Sequence, residues 1–286
     1  MALPLLKVDF NPVADFTDFV HHPYVNLPLG LDINKAVIYL WLSGAIAIGV
    51  TLLIVRRGLK LRPDGRQTAV EVVYDLCQEQ IAKGGLPEEG MRIWFPYVAT
   101  LFVFIWTMNL IGFIPLPFGE RHVHVFGLSV PEFQIYAASA NLSVTLALTL
   151  VTFFATHIEG IRYNGPIKYF KSWMPSGLPS ARPFGLKTPA VLILLGLIAV
   201  IEVLSQLVRI VSLSFRLFFN MLAGHLVIAV FLGLGALLGQ YFILPIGIPM
   251  GVALYLLECT LIAGLQAFIF ATLSAIYIGG AIHPDH

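Results

Sequence analysis

Between Thr188 and Leu238 the only charged side chains are Glu202, Arg209 and Arg216. As one α-helix this stretch measures about 75 Å at about 1.5 Å per residue. That is more than twice the roughly 30 Å hydrocarbon core of a bilayer. The helix must therefore break, with Gly224 as the weak point, or lie strongly tilted. An apolar segment of this length marks a membrane-spanning chain, and composition extends that conclusion to the whole molecule. Of 286 residues, 58% are hydrophobic and 12% charged, with mean hydropathy +0.85; soluble domains carry about 25% charged residues. The expected fold class is an all-α polytopic membrane protein.

Apolar runs place five crossings near residues 36–55, 94–114, 135–156, 188–238 and 252–278, within a single transmembrane domain over 35–286. Basic residues fix the orientation. Arg56, Arg57, Lys60, Arg62 and Arg66 follow the first span, and Arg162, Lys168, Lys171, Arg182 and Lys187 follow the third. Both clusters belong on the cytoplasmic side. Residues 1–34 then form an external segment, and the C-terminus is cytoplasmic. That opening segment has neither the basic start nor the apolar run of a secretion signal. Residues 67–82 alternate at helical spacing, with Val70, Val73, Tyr74, Cys77 and Ile81 on one face; they read as an amphipathic helix at the membrane surface. Pro245 and Pro249 are expected to mark the turn before the last span.

Several functions are disfavoured. A net charge of +1 argues against broad binding of nucleic acid. Cys77 and Cys259 suggest neither a disulfide nor a metal site. No phosphate-cradling loop pattern occurs, and no cofactor is expected.

The polar residues of the long helix are not scattered. At about 100° per residue, Glu202, Ser205, Arg209, Ser212 and Asn220 fall within roughly 40° of Arg216. Burying a guanidinium at mid-bilayer costs about 2.5–3.5 kcal/mol on insertion scales, and it stays charged at any physiological pH. Glu202 and Arg209 could pair in a structural network, but no acid of the same helix lies within two turns of Arg216. Its counter-charge must come from another helix or another chain. His225 lies further along on the opposite face, and Glu258 and Gln266 lie in the last span. A His and a Glu at similar depth can exchange protons near neutral pH. Asn141, Ser143 and Thr145 near the third span add hydrogen-bonding positions or, equally well, helix contacts. The chain thus reads as two partial polar paths separated by a cation that cannot relay a proton, with Glu202 and Arg209 on the cytoplasmic side of Arg216.

Ser212-Leu213-Ser214-Phe215-Arg216-Leu217-Phe218-Phe219-Asn220-Met221-Leu222-Ala223-Gly224-His225 resembles the signature of subunit a of the F-type ATP synthases. Leu265-Gln266-Ala267-Phe268-Ile269-Phe270 resembles the matching signature in that family's last helix. Met108-Asn109-Leu110-Ile111-Gly112-Phe113-Ile114-Pro115 and Asn141-Leu142-Ser143-Val144-Thr145-Leu146 are similar to its second-span ending and third-span start. The likeness covers most of residues 36–278.

The resemblance implies that the last two long helices form a strongly tilted hairpin wrapped on a ring of small c subunits. Peripheral-stalk b subunits and the remainder of the synthase would be its other partners. It implies that Arg216 is the stator arginine, and that Glu202 lines the cytoplasmic half-channel. His225, Glu258 and Gln266 fall on or beside the outer half-channel, with Asn141 and Asn220 as polar supports. Ser205, Arg209 and Ser212 complete the expected proton path. The resemblance implies a subunit that is not catalytic by itself, expected in a bacterial plasma (inner) membrane, with an organellar inner membrane giving the same charge pattern. Glu258 and Gln266 stand eight residues apart, where the family spaces the pair by seven. On a regular helix this turns Glu258 by about 100° and brings Cys259 into its register. The competing reading is a secondary transporter that binds an anionic substrate at a midplane arginine; no inverted repeat accompanies it.

Overall fold

A computed structural model describes residues 34–56, 64–116, 122–125, 128–131, 136–172, 189–237 and 244–283. The expected external segment up to residue 33 lies outside the described residues. So do Arg57, Lys60, Arg62, Arg182 and Lys187 of the two basic clusters and the last three residues.

The protein is an all-α polytopic membrane protein. Five helices among the described residues are long and apolar enough to cross a bilayer. The first of them is α1 (Lys35–Arg56), capped by Asn34, whose Oδ1 accepts the Val37 N–H at 3.2 Å. A helix α2 (Gly65–Asp75) follows, widening into a π-turn at Leu76–Ala82 and ending at Lys83–Gly85. Next come α3 (Glu88–Gly112), α4 (Leu142–Asn164) and the short α5 (Pro166–Ser172). Helix α6 (Pro189–Leu237) is the long one. It precedes α7 (Leu244–Leu257), a π-turn at Glu258–Ile262, and α8 (Ala263–Ile282). Between α3 and α4, strands β1 (His122–Val125) and β2 (Leu128–Pro131) pair antiparallel, with Val123 opposite Val130. The connection between the second and third crossings therefore carries a short hairpin, with His122 and His124 on β1.

Four expectations change. The second crossing begins at Glu88 rather than 94; of the two alternatives for the long helix, the unbroken one holds, since α6 is continuous over 49 residues. Its first residue is Pro189, which suits a position where the missing N–H has no partner in the helix. The third crossing begins at Leu142 rather than 135 and runs on to Asn164. The reason is a cap. Ala138–Ala140 forms a separate 3₁₀ turn, and Asn141 Oδ1 accepts the Ser143 N–H at 2.9 Å, which satisfies one of the orphan donors of a helix start. Third, Pro245 and Pro249 do not make a turn but lie inside α7. Pro245 sits in the first turn, where it removes no hydrogen bond, and Pro249 removes only one.

The fourth change concerns the surface helix. Cys77 and Ile81 are buried at 1% and 0% exposure, yet Val70 and Tyr74 are 37% and 51% exposed. The π-turn starting at Leu76 holds an extra residue per turn, so the apolar face expected from a regular helix does not stay in line. Burial pushes the Cys77 thiol up to about 11 from 9.0. Because the thiolate is the nucleophile, maleimide labelling of Cys77 at neutral pH should run roughly 100-fold slower than that of an ordinary thiol. A Cys259→Ser variant isolates the signal, and labelling at the rate of free glutathione would contradict this burial.

The chain divides into two compact units, each gathered from separate stretches of sequence. One uses the chain up to Leu53, Phe104–Val144 and Phe218–Gln266. Its core holds Phe113, Ala137, Met221, Ile228 and Ala263, with Leu254, Tyr255 and Cys259 packed on it. Asn109, fully buried, donates to the Ala263 carbonyl at 3.2 Å and accepts from Ser139 at 2.7 Å. Tyr255 donates to the Phe113 carbonyl at 2.7 Å. Such bonds matter in lipid, where an unpaired backbone or amide group has no water to turn to.

The other unit uses Ile54–Val103, Thr145–Leu217 and the chain from Ala267. Here Asn164 closes the end of α8, donating to the carbonyls of Ala281 and Ile282 at 3.0 and 3.2 Å. Thr145, Thr149, Thr152 and Thr156 form a buried row along α4, none more than 5% exposed. Their spacing of three and four residues puts them on one face.

Candidate functional site

Helix α6 is the least covered of the later spans. In its most apolar window 12% of the residues are buried, against 44% in the spans of α3 and of the last helix. Leu213, Leu217 and Met221 face inward, while Val208, Val211 and Phe219 are exposed. Much of this helix is thus left for lipid or for another chain. Arg216 lies on this uncovered part and is exposed, as are Ser205 and Ser212 four or more residues before it. Among the described residues no carboxylate lies within ion-pair distance of Arg216.

The unit containing Phe113 and Ala263 holds four of the expected residues, Asn220, His225, Glu258 and Gln266, of which Asn220 and Gln266 meet directly. Asn220 on α6 donates to Gln266 Oε1 on α8 at 3.1 Å. Gln266 is 3% exposed and Glu258 is 3% exposed, whereas Cys259 is half-buried. Glu258 occupies the π-turn. A π-turn takes one residue more than an α-turn, so eight residues from Glu258 to Gln266 cover the rotation that seven would on a regular helix. The expected turning away of Glu258 does not occur, and both side chains face inward.

What admits Glu258 is Gly224. A Cβ built at Gly224 would overlap Glu258 Oε1 and its carboxyl carbon. The carboxylate therefore fills the space that any side chain at 224 would need. His225 is the next residue. Its Nδ1 lies 2.7 Å from the Met221 carbonyl and its ring stacks on Phe113 at 5.1 Å. A carbonyl only accepts, so Nδ1 carries the hydrogen and Nε2 is the basic atom. Within this unit both Glu258 oxygens and Gln266 Nε2 are buried without a hydrogen-bond partner among the described residues. Buried polar groups normally have partners, so each of these atoms has bonding capacity left over.

Asn141 is placed differently. It caps α4 and also hydrogen-bonds the Tyr136 hydroxyl, so the contacts it makes are structural.

In the other unit Glu202 and Arg209 do not pair. Glu202 Oε1 accepts from Gln206 Nε2 at 3.0 Å, and the Arg209 guanidinium lies 4.4 Å from the centre of the Tyr277 ring. That distance is a cation–π contact. Gln206 and Arg209 line a small cavity with Thr149, Thr152, Thr156 and Tyr277. Sequence reasoning does not single out these threonines, His157, Gln206 or Tyr277. The row of threonines at helical spacing is a usable signal; the meeting of three separate helices is not.

A family model described as ATP synthase A chain matches residues 37–279. Proteins named ATP synthase subunit a are similar over most of the chain. That of Rubrobacter xylanophilus is 35% identical over 260 residues, which is 90% of this chain and 87% of the relative. That of Bradyrhizobium diazoefficiens is 37% identical over 255 residues, 86% and 88% of the two chains. That of Maricaulis maris is 30% identical over 283 residues, 97% and 99% of the two.

Proposed function

The chain belongs to the ATP synthase A chain family, and from that premise we propose that it provides two offset proton half-channels to a rotating ring of c subunits. It is an integral membrane subunit of the proton-translocating sector of ATP synthase and not itself the catalyst. One half-channel uses His225, Glu258, Gln266 and Asn220. The other uses Glu202, Ser205, Arg209 and Ser212. Arg216 stands between these sets in the order of α6, keeps a passing ring carboxylate ionised, and blocks a direct leak. The strongly tilted arrangement of the last two long helices, the peripheral-stalk b subunits and a bacterial inner membrane with the N-terminus outside belong to the same proposal.

The observation that carries this reading is the setting of Arg216. It is a permanent cation on an exposed helix surface, with no acid beside it among the described residues. A chain that needed the charge for its own folding would pair it, because removing the partner of a buried charge is strongly destabilising. An exposed cation in an apolar helix instead suits a negative group brought by another subunit. Energetics point the same way. One charge crossing 100 mV releases about 2.3 kcal/mol, so single transfers must be summed mechanically to drive a costly synthesis.

The test is a cross-link. Ser212 is exposed, lies one turn before Arg216, and differs from cysteine by one atom. With Cys77 and Cys259 replaced, Ser212→Cys should cross-link to cysteines scanned through a small hairpin subunit in native membranes. Absence of any such product, together with purification of an active chain free of other subunits, would favour the transporter reading instead.

A further inference from the structure

We propose that the end of α4 and the short α5 form a binding site for one anionic phospholipid, with acyl chains along Val151, Phe154 and Ile158 and the phosphate held by Arg162 and Lys168. The inference needs only the chain's place in a membrane and stands apart from the half-channel reading.

All of these residues belong to one unit. At about 100° per residue, Val151, Phe154, Ile158 and Arg162 fall within roughly 80° of one another on α4, opposite its buried threonine row. All four are exposed, so α4 presents an apolar stripe that ends in a guanidinium. From Val151 to Arg162 the helix rises about 16.5 Å, close to half of a hydrocarbon core of roughly 30 Å. One leaflet has that depth. The stripe therefore matches the tails of a single lipid, and the cation matches the level of its headgroup.

The chain beyond α4 adds to this level. Gly165 has φ +79°, a left-handed conformation that glycine takes without steric cost, and α4 ends there. Helix α5 is pinned to α4 by Tyr169, which is 4% exposed and whose ring fills the space a Cβ at Gly160 would need. That contact leaves Ile167, 84% exposed, and Lys168 facing out. An outward isoleucine beside a lysine, just past the end of a span, suits the boundary where apolar side chains enter the acyl region and cations meet anionic lipid. Residues 162–171 carry Arg162, Lys168 and Lys171 and no acid. Of the acids at these helix ends, Glu159 is buried and lies 3.7 Å from Arg162, beyond hydrogen-bond reach. Glu89 accepts from the Tyr163 hydroxyl and faces His283. The Arg162 side chain is 65% exposed, so its planar donors are open to a phosphate, which a guanidinium holds with paired bonds. A choline headgroup brings a cation of its own, which these side chains repel; a glycerol headgroup does not.

The experiment uses the whole synthase in phosphatidylcholine vesicles that carry a trace of photoreactive phosphatidylglycerol or, in parallel, of photoreactive phosphatidylcholine with the same acyl chains. Mass spectrometry maps the adducts. Each cation near a membrane surface favours an anionic lipid about fivefold, so phosphatidylglycerol should label residues 151–170 roughly 25-fold more than phosphatidylcholine. Arg162→Gln/Lys168→Gln should bring the two lipids near parity, whereas the charge-keeping Arg162→Lys/Lys168→Arg should retain the excess. Both side chains are exposed, and recovery of each variant in the purified synthase checks that it folds. Equal labelling of the wild type, adducts from neither lipid, or an undiminished excess in the glutamine variant overturns the site. Inorganic phosphate, added against chloride at equal ionic strength, should leave the labelling unchanged. Displacement by it would mark a site for free anions and overturn the lipid assignment.

Discussion

Arg216→Ala should abolish ATP-driven proton pumping by vesicles that hold the whole synthase, while ATP hydrolysis by the soluble sector continues. The physical ground is the charge itself. The guanidinium is permanently ionised, lies exposed on α6, and has no acidic neighbour among the described residues. Its insertion costs about 2.5–3.5 kcal/mol, a cost that no ion pair within the described residues offsets. In the proposed role that charge does two things at once. It draws the proton off an arriving ring carboxyl by favouring the ionised form, and it denies protons a direct route between the two polar sets. Arg216→Lys tests the second part. An ammonium keeps the charge but shifts its pKa readily when desolvated and lacks the planar donor fork, so it should also pump poorly. Full pumping by the alanine variant would remove the proposed role.

Gly224→Ala should slow pumping about 100-fold, the loss that a misplacement of about 1 Å can bring. The added methyl would overlap the Glu258 carboxylate oxygen, so the carboxylate or a helix has to move. The core of this unit is apolar, with Met221, Ala263 and Phe113 among its members, and a displaced carboxylate gains nothing there. A double-mutant cycle separates packing from function. Shortening the acid in Gly224→Ala/Glu258→Ala relieves the clash and should recover the thermal stability lost in the single variant without recovering its pumping. Near wild-type pumping by Gly224→Ala would show that the close approach of Gly224 and Glu258 has no functional weight.

Much of the fold was legible in the chain because lipid imposes simple rules. A spanning helix must be long, apolar and internally hydrogen-bonded, so α1 and α6 emerged within a residue of their expected bounds. Helix ends were less legible. The start of α4 depends on Asn141 turning its side chain to the Ser143 N–H, and an apolar run alone carries no sign of that. Pro245 and Pro249 looked like a turn, but a proline early in a helix removes few hydrogen bonds, and α7 runs through both.

The site divides along the same line. Sequence alone placed Glu202, Arg209, Arg216 and Asn220 on one face of one helix, because helical geometry turns spacing into angle. It also singled out Arg216, because a cation in an apolar segment is costly wherever the helix lies. What sequence could not decide was register and company. The inward aim of Glu258 depends on a π-turn and on the space left by Gly224 in another helix. The gathering of Gln206, Arg209, Tyr277 and the α4 threonines depends on three helices meeting. Spacing along one helix is local geometry and can be read from the chain, whereas contacts between helices exist only once the chain has packed.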